Sequence, residues 1–493
     1  MRRNFISKAF SILLAASVLT ACGNSTNTNE SAESVTIETD VSSETVEAAA
    51  DTSSDEHIKS VRAITNVYGD GQKLEAMVIE YDDLVDPASL DLTDFRIASV
   101  NVSDVDNYEI TNLYTNSEAS LNEDKSSKEG KYVIAEVSTD YILTQYGTGD
   151  TKNSGSSDGP DISEKNSGGE AITGESEPDN NGAPHGQIGM ASASESNVIE
   201  ASLIQTGDIS TLSGTVYTAS ETEYSNDSSE NINLLVDDFE QLVYTAEDGT
   251  NLMYNLYIPK DYDENTSYPL VLFMPDATGT SSDKFRTLTQ GLGGVIWASG
   301  ESQEENPAIV LCPQYETDKN ATALTWELLE YIQSEYNVDA SRIYTTGQSA
   351  GTIRSIEMMI ERPDYFAGAM LVAGQAEGDT EEKISELAGQ NIWMIAATGD
   401  ARALPGMTAI MEAVESEGTE VTEGTWSAVE SIEDQDAAAK AMEQSGTSFY
   451  FTVLSDVVPE GITDNDATEH MNTWRVAYSI DEIRNWLFAQ VKE

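Results

Sequence analysis

The sequence predicts two folded parts in tandem, an all-β sandwich followed by a doubly wound α/β domain. Three observations carry this reading. From about Ile58 to Val137 strand-like runs follow one another with no long helical period between them. From about Val236 strands alternate with helices, and the strands are continuously apolar, as in a sheet covered on both faces by crossover helices. Between Arg342 and Ile360 a strand-like run passes into a helical period across Gly347-Gln348-Ser349-Ala350-Gly351, a G-x-S-x-G sequence.

The 493-residue chain opens with Arg2, Arg3 and Lys8, the apolar run "AFSILLAASVL", and then Leu19-Thr20-Ala21-Cys22. A basic start, a short apolar run and small residues describe a secretory signal peptide over residues 1–21, too short to span a bilayer. "LTAC" resembles the lipobox of bacterial lipoproteins. That resemblance implies a mature chain beginning at a lipidated Cys22, held on the extracellular face of the bacterial cell membrane. Residues 22–56 are Ser, Thr, Glu, Asp and Ala with almost no large apolar residue, and read as a disordered tether.

Residues 57–235 form the β part. "SVRAITNVY", "KLEAMVIEY", "FRIASVNV" and "KYVIAEVS" are separated by turn residues such as Gly69-Asp70-Gly71. Residues 147–197 are rich in Gly, Ser, Asp and Asn and read as a flexible insertion, after which "NVIEASLI" and "LSGTVYTA" resume the strands. In 236–493, "LMYNLYIP", "YPLVLFMP", "PAIVLCP", "SRIYTTG", "FAGAMLVAG", "NIWMIAAT" and "SFYFTVL" predict strands. "ALTWELLEYIQSEYN", "GTIRSIEMMIER", "EEKISELAG", "GMTAIMEAVESEG" and "DEIRNWLFAQV" predict helices.

With 25 basic and 87 acidic residues the net charge is −62, a surface that repels nucleic acid and anionic lipid. Neither is an expected partner, and membrane contact is expected only through the lipid on Cys22. The second cysteine, Cys312, lies in the apolar run "AIVLCP" and reads as a small buried hydrophobe. Without a Cys or His cluster, no metal and no cofactor is expected.

A Ser hydroxyl is a weak nucleophile unless a base lies within hydrogen-bond reach and a third group orients that base. His57 lies at the end of the tether and His185 in the insertion, neither in apolar surroundings that would hold a catalytic imidazole. His470, in "ATEHMNTWRVAY", is the one imidazole of the α/β part and follows its last strand. An acid is expected at a strand end between the two. Asp400, directly after "NIWMIAAT", fits, with Asp379 as the alternative. The oxyanion of an acyl-transfer step needs two backbone N–H donors, expected from Ala350 after the Ser and from the turn around Asp276-Ala277.

"GLGGVIWAS", "RIYTTGQSAG", "GDARALPGM" and "HMNTWRVAYSIDEIRNWLF", in this order, resemble bacterial α/β-hydrolase-fold esterases of the polyhydroxybutyrate-depolymerase and prolyl-oligopeptidase-like group with an N-terminal immunoglobulin-like domain. The similarity covers roughly residues 58–493 outside the insertion. It implies an α/β-hydrolase doubly wound sheet preceded by an immunoglobulin-like sandwich, with Ser349 as nucleophile, Asp400 as acid and His470 as base. One departure is Pro275-Asp276, where the loop often reads His-Gly. The expected activity is serine hydrolysis of small-molecule or carbohydrate-linked carboxylic esters. A prolyl-oligopeptidase-like peptidase and a non-catalytic surface binding protein are the alternatives.

Overall fold

Antiparallel pairing organises the N-terminal part. The computed structural model describes residues 52–102, 105–143, 198–317 and 319–492. The expected signal peptide, Cys22, nearly all of the tether and the 147–197 insertion lie outside them. The strands are β1 (Thr52–Ser53), β2 (Ile58–Tyr68), β3 (Gly71–Tyr81), β4 (Phe95–Ser99), β5 (Asn107–Tyr108), β6 (Ile110–Asn116), β7 (Tyr132–Val137), β8 (Ala201–Gln205), β9 (Ile209–Ser210), β10 (Val216–Thr218), β11 (Tyr224–Ser225) and β12 (Ile232–Asn233). They pair in the orders β12-β2-β3-β7-β6, β11-β8-β4-β5 and β1-β10-β9. Ile79, Tyr81, Phe95, Ile97, Val133 and Leu203 meet in one core, as expected of sheets packed face to face.

Residues 52–56, read as tether, instead form β1 and one 3-10 turn, Ser54–Glu56. His57 is held there as well. Its Nδ1 lies 3.0 Å from Asp82, its Nε2 2.7 Å from Thr52 Oγ1, and its ring stacks on Tyr217 at 4.0 Å. Asp82 and Tyr217 are distant in sequence, so its local composition gives no sign of them.

The C-terminal sheet has the order β13-β14-β16-β15-β17-β18-β19-β21-β20. Its strands are β13 (Glu240–Thr245), β14 (Asn251–Tyr257), β15 (Tyr268–Met274), β16 (Ile309–Gln314), β17 (Val338–Gln348), β18 (Gly368–Val372), β19 (Ile392–Ala397), β20 (Val421–Ser427) and β21 (Phe449–Ser455). Pairing is parallel from β16 to β20, with β14 antiparallel to β16 and β13 antiparallel to β14. The helices are α1 (Arg286–Thr289), α2 (Leu292–Val295), α3 (Gly300–Glu305), α4 (Ala321–Glu335), α5 (Ala350–Glu361), α6 (Ala403–Ser416), α7 (Ile432–Glu443), α8 (Asp466–Ala477) and α9 (Asp481–Phe488).

Along β15, Val271 and Phe273 enter one core with Cys312, Tyr344 and Trp393, whereas Leu270, Leu272 and Met274 enter another with Leu328, Ile356 and Ile410. Successive side chains of a strand point to opposite faces. A strand that is apolar throughout is therefore one buried on both sides. The first of these cores also takes in Val67 from β2 of the sandwich.

Several elements differ from the sequence reading. The edge strands β13 and β20 are unpredicted, because an edge strand with one solvated face carries residues such as Glu240, Glu423 and Thr425 in place of a full apolar run. Helix α7 is unpredicted too. It buries only Gln435, Ala439 and Met442 and shows no wide apolar stripe. "EEKISEL" belongs to a 3-10 segment, Gly378–Leu387, in which only Leu387 is buried. Among the described residues, no helix is long and apolar enough to cross a membrane.

Candidate active site

Parallel strands deliver their carboxyl ends to one edge of the sheet, where sites of α/β folds form. Ser349 follows β17, the loop 275–279 follows the adjacent β15, Asp400 follows β19, and His470 lies in α8 after β21.

Ser349 has φ 53° and ψ −119°, a left-handed conformation costly for a residue with a Cβ. Ser349 N donates to Val372 O at 3.0 Å, and Ile353 N returns to Ser349 O at 3.2 Å. The flanking glycines permit this turn. A Cβ on Gly347 would strike the backbone of Gly351, and one on Gly351 would strike the carbonyl of Met274. Neither position has space for any side chain.

His470 Nδ1 lies 2.6 Å from Asp400 Oδ2, and its Nε2 lies 2.9 Å from Ser349 Oγ. A carboxylate only accepts, so Nδ1–H is the donor, and the neutral imidazole leaves Nε2 to accept from the Ser hydroxyl. Trp474, one helical turn on, meets the His470 ring edge-on at 5.1 Å. Asp400 is 1% exposed. Its Oδ1 accepts from Ala403 N at 2.8 Å and Arg402 N at 3.1 Å. Burial alone would raise its carboxyl, but His470 and these two amides hold it below the ordinary value. Asp379, the alternative acid, is exposed in the 3-10 segment.

Beside His470, Glu469 accepts from Gly399 N at 3.2 Å. Burial, with Asp464 and Asp400 nearby, lifts its carboxyl above the ordinary value despite that amide. A cavity of about 70 Å³ opens here, lined by Asp400, Arg402, Asp466, Ala467 and His470. A larger hollow of about 530 Å³ lies in the loop after β6. Its Asn116, Asn122 and Lys128 side chains are bonded within that loop, so it offers no comparable chemistry.

The amide of Ala350 belongs to the first turn of α5, whose N–H groups the helix leaves without intrahelical partners. Ala277 opens the 3-10 turn Ala277–Gly279 against the elbow. The sequence shows Pro275-Asp276 only as a departure; it does not show that Gln348 Nε2 donates to Asp276 Oδ2 at 2.8 Å and that Arg354 donates to Pro275 O at 3.1 Å. Only a prediction of which loops meet could have revealed either bond. No group of His, Cys, Asp and Glu side chains among the described residues could hold a metal ion.

Residues 60–218 match the family model described as the esterase Ig-like N-terminal domain. Compared by sequence with curated proteins, the chain has no match. A thermostable esterase of solved structure is 21% identical over 88% of this chain and 100% of its own, with a TM-score of 0.60. A feruloyl esterase module from Clostridium thermocellum is 15% identical over 50% of this chain and 88% of its own, with a TM-score of 0.36. A prolyl endopeptidase is 11% identical over 59% and 44%, with a TM-score of 0.34. The chain thus joins an immunoglobulin-like sandwich of the kind found at the N-terminus of esterases to an α/β-hydrolase sheet.

Proposed function

We propose that the protein is a serine hydrolase of carboxylic esters, carbohydrate-linked esters among them, anchored to the outer face of the cell membrane through a lipid on Cys22. The hydrogen-bonded line Ser349–His470–Asp400 behind a strained elbow carries this reading. Ser349 Oγ attacks the acyl carbon while its proton passes to His470 Nε2, and Asp400 stabilises the imidazolium. The carbonyl oxygen becomes an oxyanion that accepts from the amides of Ala350 and Ala277. Collapse breaks the bond to the alcohol, which leaves with the proton from His470. Water, deprotonated by the same nitrogen, then releases the acid and restores Ser349.

The thermostable esterase with the same fold supports the ester reading. The test is labelling by a fluorophosphonate, followed by a panel of p-nitrophenyl esters, feruloyl and acetyl sugars and proline-containing peptides. Labelling at Ser349 with ester turnover is expected. Turnover of peptides alone would assign a peptidase, and no labelling would leave a binding protein. Mass spectrometry of the N-terminus from the native host tests the anchor, and an unmodified Cys22 on secreted protein would remove it.

A further inference from the structure

Asp276 puts a carboxylate beside the proposed oxyanion site, where an unbalanced negative charge would oppose the charge that forms in the reaction. The structure shows how that carboxylate is occupied. Asp276 is 4% exposed. Its Oδ2 accepts from Gln348 Nε2 at 2.8 Å, and its Oδ1 accepts from Gly279 N at 3.2 Å. The second bond closes the 3-10 turn whose first residue is Ala277, as a side-chain cap does at a helix start. The first bond ties that turn to the residue immediately before Ser349.

Gln348 is itself fully buried, and its Oε1 has no hydrogen-bond partner among the described residues. A buried acceptor left without a donor costs stability. Gly293 helps to make room for this amide, since a Cβ there would strike the Phe273 ring and lie 2.9 Å from Gln348 Oε1. An apolar side chain at 348 would avoid the orphaned oxygen. A Gln here serves its donor, not the core.

We propose that Asp276 and Gln348 are positioning residues, a clamp that fixes the Ala277 amide relative to Ser349 as the second oxyanion donor. This rests on the acyl-transfer reading of the site. The two residues touch no substrate and act through the backbone of the loop. Arg354, donating to Pro275 O from α5, braces the same loop from its other end.

The clamp is tested with p-nitrophenyl acetate turnover and with a trifluoromethyl ketone. The ketone forms a bond from its carbonyl carbon to Ser349 Oγ, sends the Ser proton to His470 and leaves an oxyanion in the proposed hole. In Gln348→Met, kcat is expected to fall about 10–100-fold with KM within about threefold, part of the loss that follows removal of a whole oxyanion donor. Ketone affinity should fall by a similar factor. A role confined to packing would move the melting temperature and leave the kcat-to-KM split and the ketone affinity alone.

Gln348→Glu sets two carboxylates together and should cost more. Adding Asp276→Asn reverses donor and acceptor, and should recover at least about tenfold of the loss in kcat. Unchanged kcat and ketone affinity in folded Gln348→Met would overturn the clamp, as would a change in KM alone. If Gln348→Met does not fold, the swap decides, and no recovery overturns the clamp. Absence of labelling or ester turnover in the unmutated protein would instead sink the acyl-transfer reading, and the clamp with it.

Discussion

Gly69 and Arg475 meet backbone to backbone, so closely that a Cβ on Gly69 would strike the Arg475 carbonyl oxygen. Gly69 is in the turn between β2 and β3 of the sandwich, and Arg475 is in α8, the helix that carries His470. Arg475 donates to Asn472 Oδ1 at 3.0 Å and to Val457 O at 2.9 Å. Burial draws its guanidinium below the ordinary value, opposed by the charge of Asp70. Asp70 in turn pairs with Lys73 at 2.9 Å, both side chains nearly inaccessible. The sandwich therefore abuts the helix of His470 at a point where nothing can be added.

Gly69→Ala is expected to destabilise the fold by about 1–3 kcal/mol, the usual range for overpacking, and to lower ester turnover by shifting α8. Thermal denaturation and turnover at 25 °C check this. A chain starting at Val236 loses Val67 from the hydrolase core as well as this contact. It is expected to be insoluble or to lack a cooperative transition, and a well-folded, fully active fragment would show that the sandwich is only a spacer.

Ser349→Ala and His470→Ala should each remove about 10⁴-fold or more of turnover, with the double variant little worse, since the groups act as a unit. Asp400→Asn should also cost heavily, because an amide at that place can favour the wrong imidazole tautomer. Exposed Asp379→Asn should leave kcat/KM unchanged. Circular dichroism must show each variant folded. Near-normal turnover in folded His470→Ala would end the triad reading.

The carboxyls beside His470 have opposite signs in the pH dependence of stability. The folded value of Asp400 lies below the ordinary one. Its contribution is therefore present above about pH 4 and is lost as pH falls through the folded value. The stability difference between the parent and Asp400→Asn should be widest near neutrality and shrink below about pH 4. Glu469 is raised by burial, so it penalises the folded state increasingly as pH rises through that raised value. Glu469→Gln should raise the melting temperature at pH 7 and leave it nearly unchanged at pH 4. A gain of the same size at both values would mean that packing is responsible.

Cys312 is fully buried, which pushes its thiol far above the ordinary value. In protein carrying Cys22→Ser, dithionitrobenzoate should report no thiol in the native state and one after denaturation. Rapid native reaction would mean that the core around Gly294 and Phe273 opens readily.

What could be read from the sequence follows from which signals are local. Val271 to Met274 announce a doubly buried strand by composition alone, and G-x-S-x-G declares its turn because only Gly fits at 347 and 351. His470 stands out because the α/β part offers no other imidazole, and Asp400 because it sits at a strand end in the right order. The bond of His57 to Asp82, and that of Gln348 to Asp276, join segments far apart in the chain, and no local pattern encodes them. The edge strands were hidden for a related reason. Glu423 in β20 faces water, where selection for solubility masks the strand pattern.

The contact between Gly69 and Arg475 also orders events in time. At about 5–20 residues per second, synthesis of the intervening segment takes roughly 20–80 s. Through that interval the β2–β3 turn has emerged while α8 has not, so Gly69 lacks the Arg475 backbone it packs against. A polypeptide cut short before α8 could complete its sandwich and still display this bare spot. Such fragments would be expected to self-associate, and quality control on this protein would be reading its last helices by inspecting its first hairpin.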